Sequence, residues 1–312
     1  MRKSLSIKLI TMAPFIKNNT AIIEMIQTIL SFLEPCAAKY LDCQEVFTQP
    51  PLPFSFIVKY NNAAMKLINE KALSGEIRAY GIQDCDRIGK ERRNKQPYVK
   101  MYINYKTVPD FKYALGCSIA MEFSQDVAKI LFENNIIGIV EKMAQIIEAD
   151  YGWINYDEYG GTGLFTDLIT LTDKKEYPAE YELTGKIPSI SWWTLLSKQH
   201  FSILGGKNSI MKQAPCYAIR DLSTDQYDAL VLQITDKPEN MNDNHYSSMR
   251  NYLLPVVPTV NKYALALEIF KNKIPRNRLR LNSTSEEYSE AEELLKLGPD
   301  ALREKAKDQA LH

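Results

Sequence analysis

What is scarce in this chain narrows its chemistry before any motif is sought. Only three histidines occur in 312 residues, His200, His245 and His312, and they are scattered. Imidazole catalysis needs an oriented partner, and neither a Gly-x-Ser-x-Gly elbow nor an HExxH pair accompanies any of them. The five cysteines, Cys36, Cys43, Cys85, Cys117 and Cys216, are odd in number and no two have CxxC spacing. That pattern argues against a disulfide framework and a zinc site, and for free thiols in a reducing compartment. No stretch approaches eighteen uninterrupted apolar residues, so no membrane span is expected. Neither sign of charge prevails: Lys+Arg and Asp+Glu are both 38, for a formal net charge of +0. A nucleic-acid-binding domain ordinarily carries a basic excess, so nucleic acid is not the expected ligand. The opening MRKSLSIKLITMAPF is basic and then apolar, but Lys8, Thr11 and Pro14 break the run and no small-x-small site follows. An opening strand, 5–12, in a cytoplasmic protein is the expectation, not a cleaved leader.

What is present reads as a folded domain. Hydrophobic residues make up 45% and charged ones 24%, too apolar for disorder. A chain of this length supports one or two closely packed domains. Residues 21–40 place Ile22, Ile23, Ile26, Ile29, Leu30 and Leu33 at helical spacing, with Asn18, Asn19 or Thr20 as the N-cap. A second helix is expected over 61–73, stopping at Gly75, and a third over 134–150. Strands are expected over 54–60, 77–82, 98–105, 115–123, 151–156, 216–221 and 229–235. The basic loop 86–96 joins two of them as a solvated connection. Residues 192–204, WWTLLSKQHFSIL, read as a helix with Ser191 as N-cap and Gly205 as stop; of Trp192 and Trp193, one is expected in the core and the other exposed or between the two halves. One or two helices follow over 244–271, interrupted at Pro255 and Pro258. In the charged tail, Ser283, Thr284 or Ser285 before Glu286 and Glu287 starts a helix, and Gly298-Pro299 ends it and starts another.

The order of elements repeats: a long helix, a second helix ending in glycine, then two strands. The expected fold class is therefore α+β, with two related α/β halves, antiparallel or mixed sheets flanked by helices, and a helical C-terminal tail. The expected divisions are 1–125, 126–274 and 275–312.

No constellation names a catalytic residue, a metal site or a cofactor. Gly160–Gly163, GGTG, lacks the context of a dinucleotide or phosphate loop. Cys117 lies inside an apolar strand, where a thiol is inert. The segment 150–159, DYGWINYDEY, is both acidic and aromatic. Its Asp150, Tyr151, Trp153, Tyr156, Asp157, Glu158 and Tyr159 are the candidate partner-binding residues, because Tyr and Trp anchor interfaces. A half-buried strand with solvated acids at its ends accounts for the same pattern. Asp157 and Glu158 would also suit a metal-dependent hydrolase.

Three further stretches carry a family likeness. SISWWTLLS at 189–197, ILGG at 203–206 and ALVLQITDKPENMND at 229–243 follow one another in order. Upstream, AMEFSQDVAKILFENNIIGIVEKMAQIIEADYGWINY gives a strand, a long helix and an aromatic strand. On these motifs the chain resembles the type VI immunity family of bacterial polymorphic-toxin systems over residues 110–262. It departs from that family at Ala149-Asp150-Tyr151-Gly152, where histidine–glycine–tyrosine is usual, and at Trp193, where leucine is common. The resemblance implies a non-enzymatic protein that binds and neutralises a cognate toxin, often a nuclease, delivered by a neighbouring cell. The acidic segment would then imitate nucleic-acid phosphate. Homodimerisation and an adaptor role for the C-terminal helices stay open at this level.

Overall fold

The computed structural model describes residues 4–33, 41–45, 57–59, 61–74, 77, 79–87, 90–91, 99–104, 117–157, 185, 187, 190–257, 260–272, 274, 276–281 and 283–309. The elements run β1 (Ser4–Thr11), α1 (Asn19–Phe32), β2 (Leu41–Glu45), β3 (Ile57–Lys59), α2 (Asn62–Leu73), β4 (Ala79–Arg87), β5 (Lys90–Glu91), β6 (Val99–Asn104) and β7 (Cys117–Ser124). Then come α3 (Gln125–Glu133), α4 (Ile136–Ile146), β8 (Tyr151–Asp157), β9 (Trp193–Ser197), α5 (Lys198–Ile203), α6 (Lys207–Gln213), β10 (Ala218–Asp221) and β11 (Ala229–Gln233). Last are α7 (Asp243–Leu253), α8 (Lys262–Lys271), α9 (Arg276–Leu281), α10 (Ser285–Leu294) and α11 (Pro299–Gln309). The expected α+β class is what the chain adopts. It divides into two compact units: residues 1–161, 191–198 and 219–232 form the first, and 162–190, 199–218 and 233–312 the second.

The first unit is built on one sheet in the order β10-β11-β9-β8-β1-β7-β6-β4-β2-β3, with β5 paired to β4. β1 is central: it runs antiparallel to β7 on one side and to β8 on the other. The strands read from both halves of the sequence thus join one sheet. Register assigns the faces. Leu5, Ile7 and Leu9 oppose Phe123, Met121 and Ile119 on β7, and these in turn oppose Val99, Met101 and Ile103 on β6. All of these side chains are buried, and α3 packs on this part of the sheet, against β1 and β7. α1 packs against α2, α3 and α4, and its Asn18 caps it by accepting from the Ala21 amide. Buried Asn19 is satisfied on two sides, donating to Asn69 Oδ1 and accepting from the Tyr80 hydroxyl, as a buried amide must be.

One helix reading holds with an addition and one needs correction. The helix expected over 134–150 forms as α4, but a separate helix not read from the sequence, α3, precedes it; Asn135 between them is left-handed with φ 56° and its side chain caps α4 at the Gly138 N–H. Asparagine tolerates that conformation better than most residues. Residues 192–204 are not one helix: Trp193–Ser197 is strand β9 and only Lys198–Ile203 is helical. Every β9 residue is buried, so the strand lacks the alternation that betrays a half-exposed one. Both tryptophans are fully buried. Ser191 caps nothing; its amide donates to Thr194 Oγ1, whose hydroxyl donates back to the Ser191 carbonyl.

The second unit carries the C-terminal helices. α8 packs against α10 and α11 around Leu265, Ala266, Leu279, Tyr288, Ala291 and Leu302, so the tail folds back within its own unit. Asn261 caps α8 and its amide donates to the Ala306 carbonyl of α11. Thr284 and Glu287 form the capping box of α10. The same Glu287 accepts from the Val260 amide and pairs with Arg250, whose side chain is only 4% exposed. A buried cation without such a partner would be strongly unfavourable.

Candidate partner-binding site

The acidic–aromatic segment is not a single surface. In β8, alternate residues face opposite sides of the sheet. Tyr156 opposes Leu5, and Ile154 opposes Ile7, on the face that α3 covers. Tyr151, Trp153 and position 157 belong to the other face. Tyr151 is 0% exposed, Trp153 5% and Tyr156 8%, so none of the three is offered to a partner. Tyr156 meets Phe132 edge-on with ring centroids 6.1 Å apart, and Phe132 meets Trp192 in the same way at 6.0 Å. Such edge-to-face packing adds to the apolar burial of the rings. The backbone of Asp157 lies opposite Ser4. Glu158 and Tyr159 lie outside the described residues.

Asp150 sits at the turn from α4 into β8, where it fastens the backbone. Its Oδ2 accepts the Met12 amide at 2.7 Å while its own amide donates to the Ile10 carbonyl at 2.8 Å. Partial burial pushes its carboxyl above the usual range, opposed by the Met12 hydrogen bond and by Lys198. Beside it the Tyr227 hydroxyl donates to the Ala149 carbonyl at 2.8 Å, and burial drives that phenol far above its ordinary value. Glu148 completes the turn in a left-handed conformation, φ 50°, and pairs with Lys17 at an exposed position, where such a pair contributes little.

Nothing in the sequence pointed to a cluster around Glu141 of α4. Trp193 Nε1 and Arg220 Nε both donate to Glu141 Oε1, joining α4 to β9 and β10. The three residues are far apart in sequence and no spacing rule links them. Their role is to tie helix to sheet.

The other chemistry-bearing residues lie apart from one another. Cys117 is buried and its Sγ donates to the Ala13 carbonyl. His200 is fully buried in α5, and His245 is exposed near the start of α7. Among the described residues, no three His, Cys, Asp or Glu side chains come together in a way that could hold a metal ion, and no helix is long and apolar enough to cross a membrane.

No family model matches the chain, and no curated protein matches it. Among solved structures, a T6SS protein of Pseudomonas aeruginosa is similar, with a TM-score of 0.54 over 95% of this chain and 88% of that one, at 12% identity. At that identity the likeness shows a shared fold.

Proposed function

We propose that this protein is an immunity protein that binds a cognate antibacterial effector toxin and neutralises it by occluding its working surface. The observation that supports this reading is the fold shared with a T6SS protein along nearly the whole chain, together with the stretches at 189–197, 203–206 and 229–243 that resemble type VI immunity motifs. The physical mechanism is steric and electrostatic. Tight neutralisation takes an interface of about 1,600 Å² or more with aromatic anchors and complementary charge. The burial of Tyr151, Trp153 and Tyr156 leaves Asp157 and Glu158 as the part of the acidic segment that would act, through charge.

Co-expression with the product of the neighbouring gene tests the reading. A stoichiometric complex that co-purifies and relieves that product's toxicity is the expected result. Reversing both Asp157 and Glu158 to lysine should weaken the complex at least about tenfold if the acids meet a basic cleft. Absence of a complex, with toxicity unrelieved, overturns the immunity reading.

A further inference from the structure

The second unit carries an open groove of about 450 Å³, one wall of which comes from the 229–243 stretch. One wall is the chain entering β10, with Cys216 and Tyr217; the other is the turn after β11, with Ile234, Asp236 and Asn240, and His245 lies at the end. Three features distinguish it from an ordinary surface depression. Tyr217 is 67% exposed, whereas the large aromatics of β8 and β9 are buried. Among the described residues that line the groove, Asp236 is the one acidic side chain. The turn that presents Asp236 is held rigidly from within.

That rigidity is visible bond by bond. Gln233 Nε2 donates to the carbonyls of Thr235 and Asp236 at 2.9 and 3.1 Å. The Thr235 hydroxyl donates to the Lys237 carbonyl at 2.6 Å, and Asn240 Nδ2 donates to Asp236 Oδ1 at 2.6 Å. The opposite wall is fastened by the Tyr217 amide donating to the Ile234 carbonyl at 3.1 Å. The Asn240 bond holds the Asp236 carboxyl below its usual range, so it stays ionised. The Asp236 carboxylate and the backbone that carries Tyr217 are therefore positioned before any ligand arrives, which lowers the ordering cost of binding. The Cys216 thiol, pushed up to about 11 by burial, stays protonated, so the groove is a place for binding and not for thiol chemistry.

We propose that this groove docks an arginine side chain presented by a partner protein, its guanidinium stacking on Tyr217 and pairing with Asp236. A cation answers the single negative charge of the lining. A planar guanidinium can stack on an aromatic face and bond a carboxylate at once, which a lysine ammonium does less well. That the arginine belongs to the toxin rests on the immunity reading; the groove itself does not.

Titrating the full chain with N-acetyl-arginine N-methylamide, and separately with the lysine analogue, tests the site by NMR. Shifts should cluster at Cys216, Tyr217, Asp236, Asn240 and His245, with arginine bound about threefold more tightly than lysine. Tyr217→Ala and Asp236→Asn should each weaken arginine binding about threefold to fivefold while leaving the melting temperature in place, since both side chains are exposed. Scattered shifts, equal response to lysine, or unchanged binding by both variants overturns the proposal. Against the neighbouring gene's product, Tyr217→Ala should weaken the complex about thirtyfold, as loss of an aromatic anchor does. A wild-type complex that Tyr217→Ala leaves intact rejects the groove and keeps the immunity reading. An arginine titration that succeeds without any complex does the reverse.

Discussion

The two flanks of the central strand β1 are built differently. On β6 and β7, buried and half-buried residues alternate almost without exception. On β8 and β9, every residue whose side chain is described is buried. Helices account for one face on both flanks; only on the second is the other face closed as well. Alternation in a sequence thus reports one covered face, not strand geometry as such. A strand closed on both faces reads as a plain apolar run that suits a helix equally well.

Substitutions break this comparison at different strengths. The largest effect is expected at Trp193, which is fully buried and donates to Glu141. Trp193→Ala should cost about 3–5 kcal/mol of stability in urea unfolding. On the alternating flank, Lys100→Ala on half-buried β6 should stay within about 0.5 kcal/mol. Equal losses at the two positions would remove the distinction between the flanks.

An intermediate effect is expected at Gly152. A Cβ there would lie 2.6 Å from Leu9 Cδ2 and 3.1 Å from the Lys8 carbonyl oxygen. The leucine tip can move, but the backbone oxygen cannot without shifting β1. Gly152→Ala should therefore destabilise by about 1–3 kcal/mol, the usual range for overpacking. A neutral result in thermal unfolding would show that β1 and β8 have slack between them.

The smallest effect concerns pH at the turn into β8. Burial raises the folded-state pKa of Asp150 above its ordinary 3.8. The folded state then holds the proton more tightly than the unfolded one, so stability falls as pH rises through the window from 3.8 upward. Asp150→Asn keeps an acceptor for the Met12 amide and removes the titration. Relative to the natural protein, the melting temperature of the variant should rise as the pH is raised through this window. Identical pH profiles would place Asp150 in a more solvated setting than the structure shows.

Much of the architecture was legible because local rules carried it. Asn18 caps α1 as its position suggested, Thr284 starts α10, and Gly205 and Gly206 take the positive φ values of 83° and 96° that end α5; Asn61, read as the first residue of α2, is its N-cap. β1, β4, β6, β7 and β8 lie within a few residues of where alternation and flanking turns put them. The candidate site fared differently. Composition made 150–159 an interface candidate, and aromatic enrichment alone cannot separate an anchor from a core residue. The useful sign was present but ambiguous: β8 places Tyr151 and Trp153 on one face and Tyr156 on the other, so the three could never form one patch. The groove beside Tyr217 left no such trace, because its walls come from segments about twenty residues apart joined by the hairpin of β10 and β11.

The sequence by itself determined the mixed α+β class, the capped helices and a formal net charge of +0, since each depends on near neighbours or on simple sums. Tertiary structure alone decided that strands from both halves share one sheet, that WWTLLS extends instead of coiling, and that the C-terminal helices close on α8. Those outcomes depend on which faces find a partner. Burial on both faces erases the periodic signal that a sequence can display.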